Sequence, residues 1–298
     1  MHNLFIEKFK VPEVAVDYLD VFFKPSEIDF VEKIDKDIFD ENDIASVTGD
    51  KEFAKRAYRD GLINIVNKEQ GLYCLNDFYE KLNVFCIVEQ ESYRSIDEEG
   101  RRKIESWFFN SFYEKLDPNE EVPTKDRVYL LEEMLELIEN DDRPVYLNYC
   151  DCRSMKGDCK LPTRTCITYE NGINTRVDRG ISEEIDKERA KQVVIEAHEA
   201  GLMHTANPNG ICNCCGDCCY VLRSQQRRNS VGTWPPSNYV IDFDESKCVG
   251  CGKCAKRCHF GVFEVKDKKV TIDESKCIGC GICNSTCKKN TLTMKKRK

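Results

Sequence analysis

Eight cysteines near the end of the chain fall into two copies of one spacing, and no other feature of the sequence restricts the fold as tightly. "DESKCVGCGKCAKRC" runs from Asp244 to Cys258 and "DESKCIGCGICNSTC" from Asp273 to Cys287, an internal repeat at an offset of 29 residues. Each copy reads C-x2-C-x2-C-x3-C. Three cysteines so spaced share one tight loop and each reaches a different iron of a cubane, while the fourth is displaced to serve the other cluster. The spacing therefore predicts one 4Fe-4S cluster on Cys248, Cys251, Cys254 and Cys287, and a second on Cys277, Cys280, Cys283 and Cys258. Gly250, Gly252, Gly279 and Gly281 allow each loop to wrap closely and to aim backbone N–H groups at the sulfurs. Two zinc ribbons are the competing reading, but they favour paired C-x2-C knuckles separated by a longer loop.

This segment, about the last 60 residues, resembles the bacterial two-cluster ferredoxins. It departs from that family after the fourth cysteine, where proline is usual: His259 follows Cys258 and Lys288 follows Cys287. The expected fold survives this change, because the proline shapes a turn without binding iron. A cation at either place favours the reduced, more negative cluster.

Nineteen cysteines are present, so eleven lie outside the repeat. Cys74 and Cys86, in an apolar, strand-like region, read as ordinary buried residues. The other nine are Cys150, Cys152, Cys159 and Cys166 in "YCDCRSMKGDCKLPTRTC", then Cys212, Cys214, Cys215, Cys218 and Cys219 in "CNCCGDCC". Such density exceeds any packing need, and all nine are candidate metal ligands. As a helix, "CNCCGDCC" would pair Cys214 with Cys218 and Cys215 with Cys219; as a loop, it would bend at Gly216. Either form brings the thiols together. An additional iron-sulfur cluster, cubane or noncubane, is the preferred expectation, with zinc as the alternative, since zinc would use only four of nine thiols.

The block from about residue 145 to 225, with "CDCR", "PTRTC", "HEAGLMH" and "ICNCCGDCC", resembles a group of anaerobic iron-sulfur proteins in which it precedes a ferredoxin module. That resemblance implies electron transfer in an anaerobe and no particular substrate. The Cys-Cys-Gly run is also similar to the cysteine-rich domains of heterodisulfide reductases, which implies noncubane clusters and disulfide reduction. Between the two cysteine groups, "SEEIDKERAKQVVIEAHEAGL" predicts a helix capped by Ser182 and ended by Gly201. His198 and His204 flank its end and read as surface or capping residues, with a ligand or proton-donor role as the alternative. Arg153 and Arg164 read as salt-bridged surface groups, or as cations that offset a cluster's charge or bind an anionic substrate.

The length of 298 residues suffices for two or three domains without disulfides. Glu7, Lys8, Lys10, Glu13 and Asp17 interrupt what would be the apolar core of a signal peptide, so a cytoplasmic protein is expected, and clustered thiols in a reducing compartment read as metal or redox groups. No stretch of about 18 apolar residues predicts a membrane span. Residues 247–298 hold 14 Lys and Arg against 4 Asp and Glu, a charge of +10, which leaves −18 on residues 1–246 of a net −8. A basic tail of this kind suits a redox partner protein with an acidic docking surface.

From Glu41 to Val88 the pattern predicts a winged helix: "ENDIASVTG" and "KEFAKRAYRDGLI" as helices, then "INIVNKEQGLYCL" as a hairpin. Lys51, Lys55, Arg56 and Arg59 against Glu52 and Asp60 give only +2, which disfavours nucleic acid and favours a docking or structural role. "RSIDEEGRRKIESWFFNSFYEKL" and "TKDRVYLLEEMLELIEN" predict amphipathic helices, with Trp107, Phe108 and Phe112 as core. "RPVYLNYC" predicts a buried strand leading to Cys150, and "RTCITYENGINTRV" a hairpin turning at Asn171-Gly172.

The expected architecture is α+β: a winged-helix-like and helical domain over residues 1–140, a cysteine-rich cluster-binding domain over 141–236 and a two-cluster ferredoxin domain over 237–298. The expected function is iron-sulfur electron transfer, as a carrier or as an oxidoreductase subunit. A redox-sensing winged-helix regulator and a cluster carrier or maturation factor are the alternatives. The sequence sets neither substrate nor oligomeric state.

Overall fold

The structure is a computed structural model that describes residues 2–297. It mixes helix and sheet and divides into two compact units.

The first unit comprises residues 1–111 with the short segments 154–156 and 170–183. Its elements are α1 (Asn3–Lys8), a 3-10 turn at Glu13–Tyr18, α2 (Leu19–Phe22), α3 (Pro25–Lys33), α4 (Glu41–Thr48), α5 (Phe53–Arg59), the hairpin β1 (Ile63–Asn67) and β2 (Leu72–Leu75), α6 (Phe78–Val88), α7 (Gln90–Ser95) and the start of α8 (Glu98–Glu114). Helix α4 opens on a reciprocal cap: the Asp40 carboxylate accepts from the N–H groups of Asn42 and Asp43, and Asp43 reaches back to the N–H of Asp40. The core is aromatic, with Phe5, Phe22, Phe23 and Phe78 buried against one another edge to face or tilted. Lys81 lies inside this core, where burial lowers its pKa, and it donates to the Asp60 carbonyl at 3.0 Å. Cys74 is half-buried on β2, whereas Cys86 is buried on α6 rather than on a strand.

The second unit is built on a six-stranded sheet of order β3-β7-β8-β5-β4-β6. Its strands are β3 (Arg127–Tyr129), β4 (Val145–Tyr149), β5 (Arg164–Thr168), β6 (Glu183–Ile185), β7 (Met203–Asn207) and β8 (Gly210–Cys214). Helices α9 (Leu131–Glu139) and α11 (Lys187–Ala200) cover one face, with Met134, Ile138, Val193 and Val194 packed on Leu147, Ile167, Ala206 and Ile211. The short α10 (Asp151–Lys156) follows β4, and α12 (Tyr220–Arg228) follows the turn after β8. The C-terminal part adds β9 (Tyr239–Phe243), α13 (Lys253–Arg257), the hairpin β10 (Phe263–Lys266) and β11 (Lys269–Ile272), and β12 (Leu292–Lys296). Strand β12 pairs antiparallel with β9, from Leu292 opposite Phe243 to Lys296 opposite Tyr239, which closes the repeat into its own small core.

Three local expectations are corrected. The segment from Lys125 to Asn140 is not one helix: Val128 lies on edge strand β3, whose N–H bonds the Pro236 carbonyl, and α9 starts only at Leu131. The α11 cap is Asp186, which accepts from the Arg189 N–H at 2.7 Å, while Glu183–Ile185 joins the sheet as β6; Gly201 ends the helix in the left-handed region, as its position predicts. Strand β5 does not fold back on itself at Asn171-Gly172 but pairs with β4 and β8, because Ile167 finds apolar partners on both sides of the sheet's helix-covered face.

Candidate metal centres

Alternation along β5, β7 and β8 separates greasy positions from thiols. Successive side chains on a strand point to opposite faces. Ile167, Ala206 and Ile211 meet the helices, so Cys166, Cys212 and Cys214 fall on the opposite face, and Thr205 pairs with Cys212 and Met203 with Cys214 in the same register. "CNCCGDCC" is thus neither a helix nor a single loop: Cys212 and Cys214 end a strand, Cys215 and Cys218 occupy a turn, and Cys219 caps α12.

Six of the nine upstream thiols close a ring. Cys150 meets Cys152, Cys152 meets Cys219, Cys219 meets Cys214, Cys214 meets Cys212, Cys212 meets Cys166, and Cys166 returns to Cys150, each pair in side-chain hydrogen-bonding contact. Strand β4 delivers Cys150 to the N-cap of α10, and Cys219 holds the same place on α12. Neither thiol makes a side-chain cap hydrogen bond to its helix. Donation from Cys166 and Cys214 pushes Cys212 down to about 6, and Cys152 and Cys214 hold Cys219 well below the usual thiol value. Cys152 and Cys214 are pushed up in turn by these contacts and by burial, so the ring must give up further protons when a cation binds.

The remaining three form a separate group. The sulfurs of Cys159, Cys215 and Cys218 all lie within 4.8 Å of one another, with Cys218 to Cys159 at 3.6 Å. Cys159 is half-buried and the other two are fully buried, beside Ala197, Leu202 and Leu161. A Cβ at Gly216 would lie 2.7 Å from the Cβ of His259, so glycine permits this turn to approach the end of the first repeat copy. His259 hydrogen-bonds the Gly201 carbonyl through Nε2 at 3.0 Å.

Arg153 touches the electrostatics of both groups. It is 1% exposed, and its guanidinium donates to the Pro162 carbonyl at 2.7 Å, the Asn213 carbonyl at 3.0 Å and Thr165 Oγ1 at 2.7 Å. Burial opposes its charge, but the thiols of Cys150, Cys166, Cys215 and Cys214 outweigh that and raise its pKa above the ordinary guanidinium value. It is therefore a core countercharge and not a surface salt bridge; Arg164 is exposed and lies over the Tyr149 ring.

His198 and His204 are likewise buried, because the C-terminal turn of α11 packs on the sheet beside β7. Both nitrogens of each ring are engaged. His204 Nδ1 meets Asn213 Oδ1 at 2.7 Å, His204 Nε2 meets His198 Nδ1 at 3.1 Å, and His198 Nε2 meets Ser285 Oγ at 2.9 Å. Asn213 Nδ2 donates to the Thr165 carbonyl at 2.6 Å, which fixes Oδ1 as the acceptor facing His204. A chain of hydrogen bonds thus joins the loop beyond Cys283 to the strand between Cys212 and Cys214. Burial lowers His204 to about 4, with the neighbouring His198 opposing its charge as well and the Asn213 bond acting the other way. The unfolded imidazole takes a proton near pH 6.5 and the folded one does not, so stability is complete above that pH and is lost as pH falls towards 4. Between pH 7 and pH 5 the wild-type chain should lose about 2 kcal/mol more than His204→Gln in denaturant unfolding. Parallel pH profiles for the two proteins would contradict this.

The repeat cysteines line two separate cavities. Cys248, Cys251, Cys254 and Cys287 surround a cavity of about 150 Å³, rimmed by exposed Lys253, Lys288 and Lys289. Cys258, Cys277, Cys280 and Cys283 line a smaller, buried one of about 20 Å³. The N–H groups of Gly250 and Ile241 aim at the sulfurs of Cys248 and Cys277, at 3.5 and 3.4 Å. Cys280 and Phe260 share one apolar cluster with Cys214, Cys219, Met203 and Ile278, so the second cavity abuts the six-thiol ring. Arg257 secures that junction by donating to the carbonyls of Ile282, Glu199 and His198.

Residues 247–291 match the family model of the 4Fe-4S dicluster domain. Neither the curated proteins nor the solved structures yield a match. Among the described residues, no helix is long and apolar enough to cross a membrane. The chain therefore carries a C-terminal 4Fe-4S domain of the ferredoxin type, the equipment of iron-sulfur electron transfer.

Proposed function

We propose that the chain is an iron-sulfur electron-transfer protein, or the corresponding subunit of an oxidoreductase, in which electrons pass through three stations. The first is a 4Fe-4S cluster on Cys248, Cys251, Cys254 and Cys287; the second is a cluster on Cys277, Cys280, Cys283 and Cys258. The third is an additional iron-sulfur centre on the upstream cysteines. The observation that carries this order is the apolar cluster that contains Cys214 and Cys219 and against which Cys280 packs: one cluster joins the second quartet of thiols to the upstream ring. The first quartet is the outward one, since Cys251 is exposed and Val249 beside it is 57% exposed. Electrons enter there from a partner with an acidic surface, steered by Lys253, Lys288 and Lys289.

Reversing charge at Lys288 and Lys289 (to Glu) should slow reduction of the protein by an anionic reductant about tenfold at low salt, and the wild-type rate should fall towards the variant's as salt rises. Equal, salt-independent rates in stopped-flow measurements would remove the entry point from this rim.

The helix–helix–hairpin succession of α4, α5, β1 and β2 supports reading the first unit as winged-helix-like, and its bonding favours docking over DNA binding. Asn174 of the same unit takes the backbone N–H and C=O of Ile65 on the hairpin, Lys68 at its tip pairs with Asp178, and Arg56 on α5 pairs with Asp50. Arg56, Lys68 and the Ile65 backbone are thus already engaged within the unit and not offered to phosphates.

A further inference from the structure

Among the described residues, Cys159, Cys215 and Cys218 are the group in which three sulfurs lie within 4.8 Å of one another; Cys150 and Cys152 meet that limit only with the Asp151 carboxylate. Thiolates around one tetrahedral ion at a Zn–S distance of about 2.3 Å lie about 3.8 Å apart. The separation of 3.6 Å between Cys218 and Cys159, within a trio whose members all lie inside 4.8 Å, fits that geometry. A cubane places each thiolate on a different iron and so holds the sulfurs further apart. Among the described residues, neither quartet of the repeat brings three sulfurs within the same limit, and no three sulfurs of the six-membered ring do so.

We propose that Cys159, Cys215 and Cys218 hold a single soft divalent ion of the zinc class, whose fourth position takes a thiol from outside the chain. No fourth His, Cys, Asp or Glu among the described residues joins the three, and a site with three protein ligands and an open position is the arrangement zinc adopts where it binds a substrate rather than a scaffold. The opening lies on the side of Cys159, which is half-buried, because Cys215 and Cys218 are fully buried. Ala197, Leu202 and Leu161 make the surroundings apolar, which suits a soft sulfur donor better than a hydrated carboxylate. Three thiolates and a divalent ion carry one net negative charge, and the nearby Arg153 cation offsets the second that a bound thiolate adds. The partition rests on the proposed upstream iron-sulfur centre, which it confines to Cys150, Cys152, Cys166, Cys212, Cys214 and Cys219.

The test is zinc and iron analysis of the full chain purified without oxygen, beside Cys159→Ser, whose site is on a half-exposed turn and whose folding is checked by the EPR signals of the repeat clusters. The expected result is about one zinc per chain, lost in the variant with iron unchanged. A loss of iron in Cys159→Ser, with no zinc in either protein, would overturn the single-ion assignment while leaving the upstream iron centre standing. Zinc at one per chain with no iron beyond the two repeat clusters would leave this assignment intact and sink the upstream iron centre instead. Protein produced with cobalt in place of zinc then reports the fourth position: 2-mercaptoethanol should shift the visible cobalt bands, and an unchanged spectrum would close that position.

Discussion

Arg153→Met should strip the upstream centres of metal while the EPR signals of the two repeat clusters persist. The side chain is sealed in the core, where its guanidinium donates to the Pro162 carbonyl, the Asn213 carbonyl and Thr165 Oγ1. Methionine fills the volume but leaves these acceptors without their donor and removes the cation beside Cys150, Cys166, Cys215 and Cys214. Breaking a buried charge network of this kind costs about 3–5 kcal/mol. Carrying the same loss into metal affinity weakens binding by a factor on the order of a thousand. Arg153→Lys keeps the charge but not the fork, and should fall between the two. Full upstream metal in Arg153→Met, measured per chain against wild type, would show that the thiols need no fixed countercharge.

Gly250→Ala should remove the cluster on Cys248, Cys251, Cys254 and Cys287 and leave the others in place. Gly250 has a φ of +66°, and a Cβ there would sit 1.8 Å from the carbonyl oxygen of Lys268 and 2.5 Å from its carbon. Those are backbone atoms of the β10–β11 turn, so no side-chain rotation relieves the overlap. The loop must move, and with it the N–H that faces the Cys248 sulfur at 3.5 Å. Iron should drop by about four per chain. Gly261→Ala is the internal control: its φ is also +66°, but nothing lies within 4 Å of the added carbon, so only the left-handed strain of about 1–2 kcal/mol remains. Equal iron in the two variants would mean that the loop at Gly250 has room the geometry denies.

The repeat was legible because its information is local: a spacing of three and four residues sets which thiols share a loop, and the two cavities collect the same quartets. The strand leading to Cys150, the capped helix at Glu41 and the hairpin at Ile63–Leu75 were legible for the same reason. The division of the nine upstream thiols into six and three was not. It depends on β5 pairing with β8 across about 40 residues of intervening chain, and a pairing of that span leaves no local trace. One signal was available: in "GICNC" the thiols recur at the period of a strand, with Ile211 and Asn213 on the other face, which separates Cys212 and Cys214 from Cys215 and Cys218. The density of cysteines masked it. His198 and His204 were misplaced because a polar residue at a helix end reads as exposed, while in the fold the two rings bond each other and are held by Asn213 on β8 and by Ser285.

Iron and acid-labile sulfide in the intact chain, purified without oxygen, test the central claim most directly. The two clusters proposed on the repeat would supply about eight of each per chain. The account predicts a clear excess, about four further irons with matching sulfide for a cluster-sized upstream centre. Eight irons and eight sulfides would contradict it, leaving a two-cluster electron carrier whose upstream thiols hold no iron.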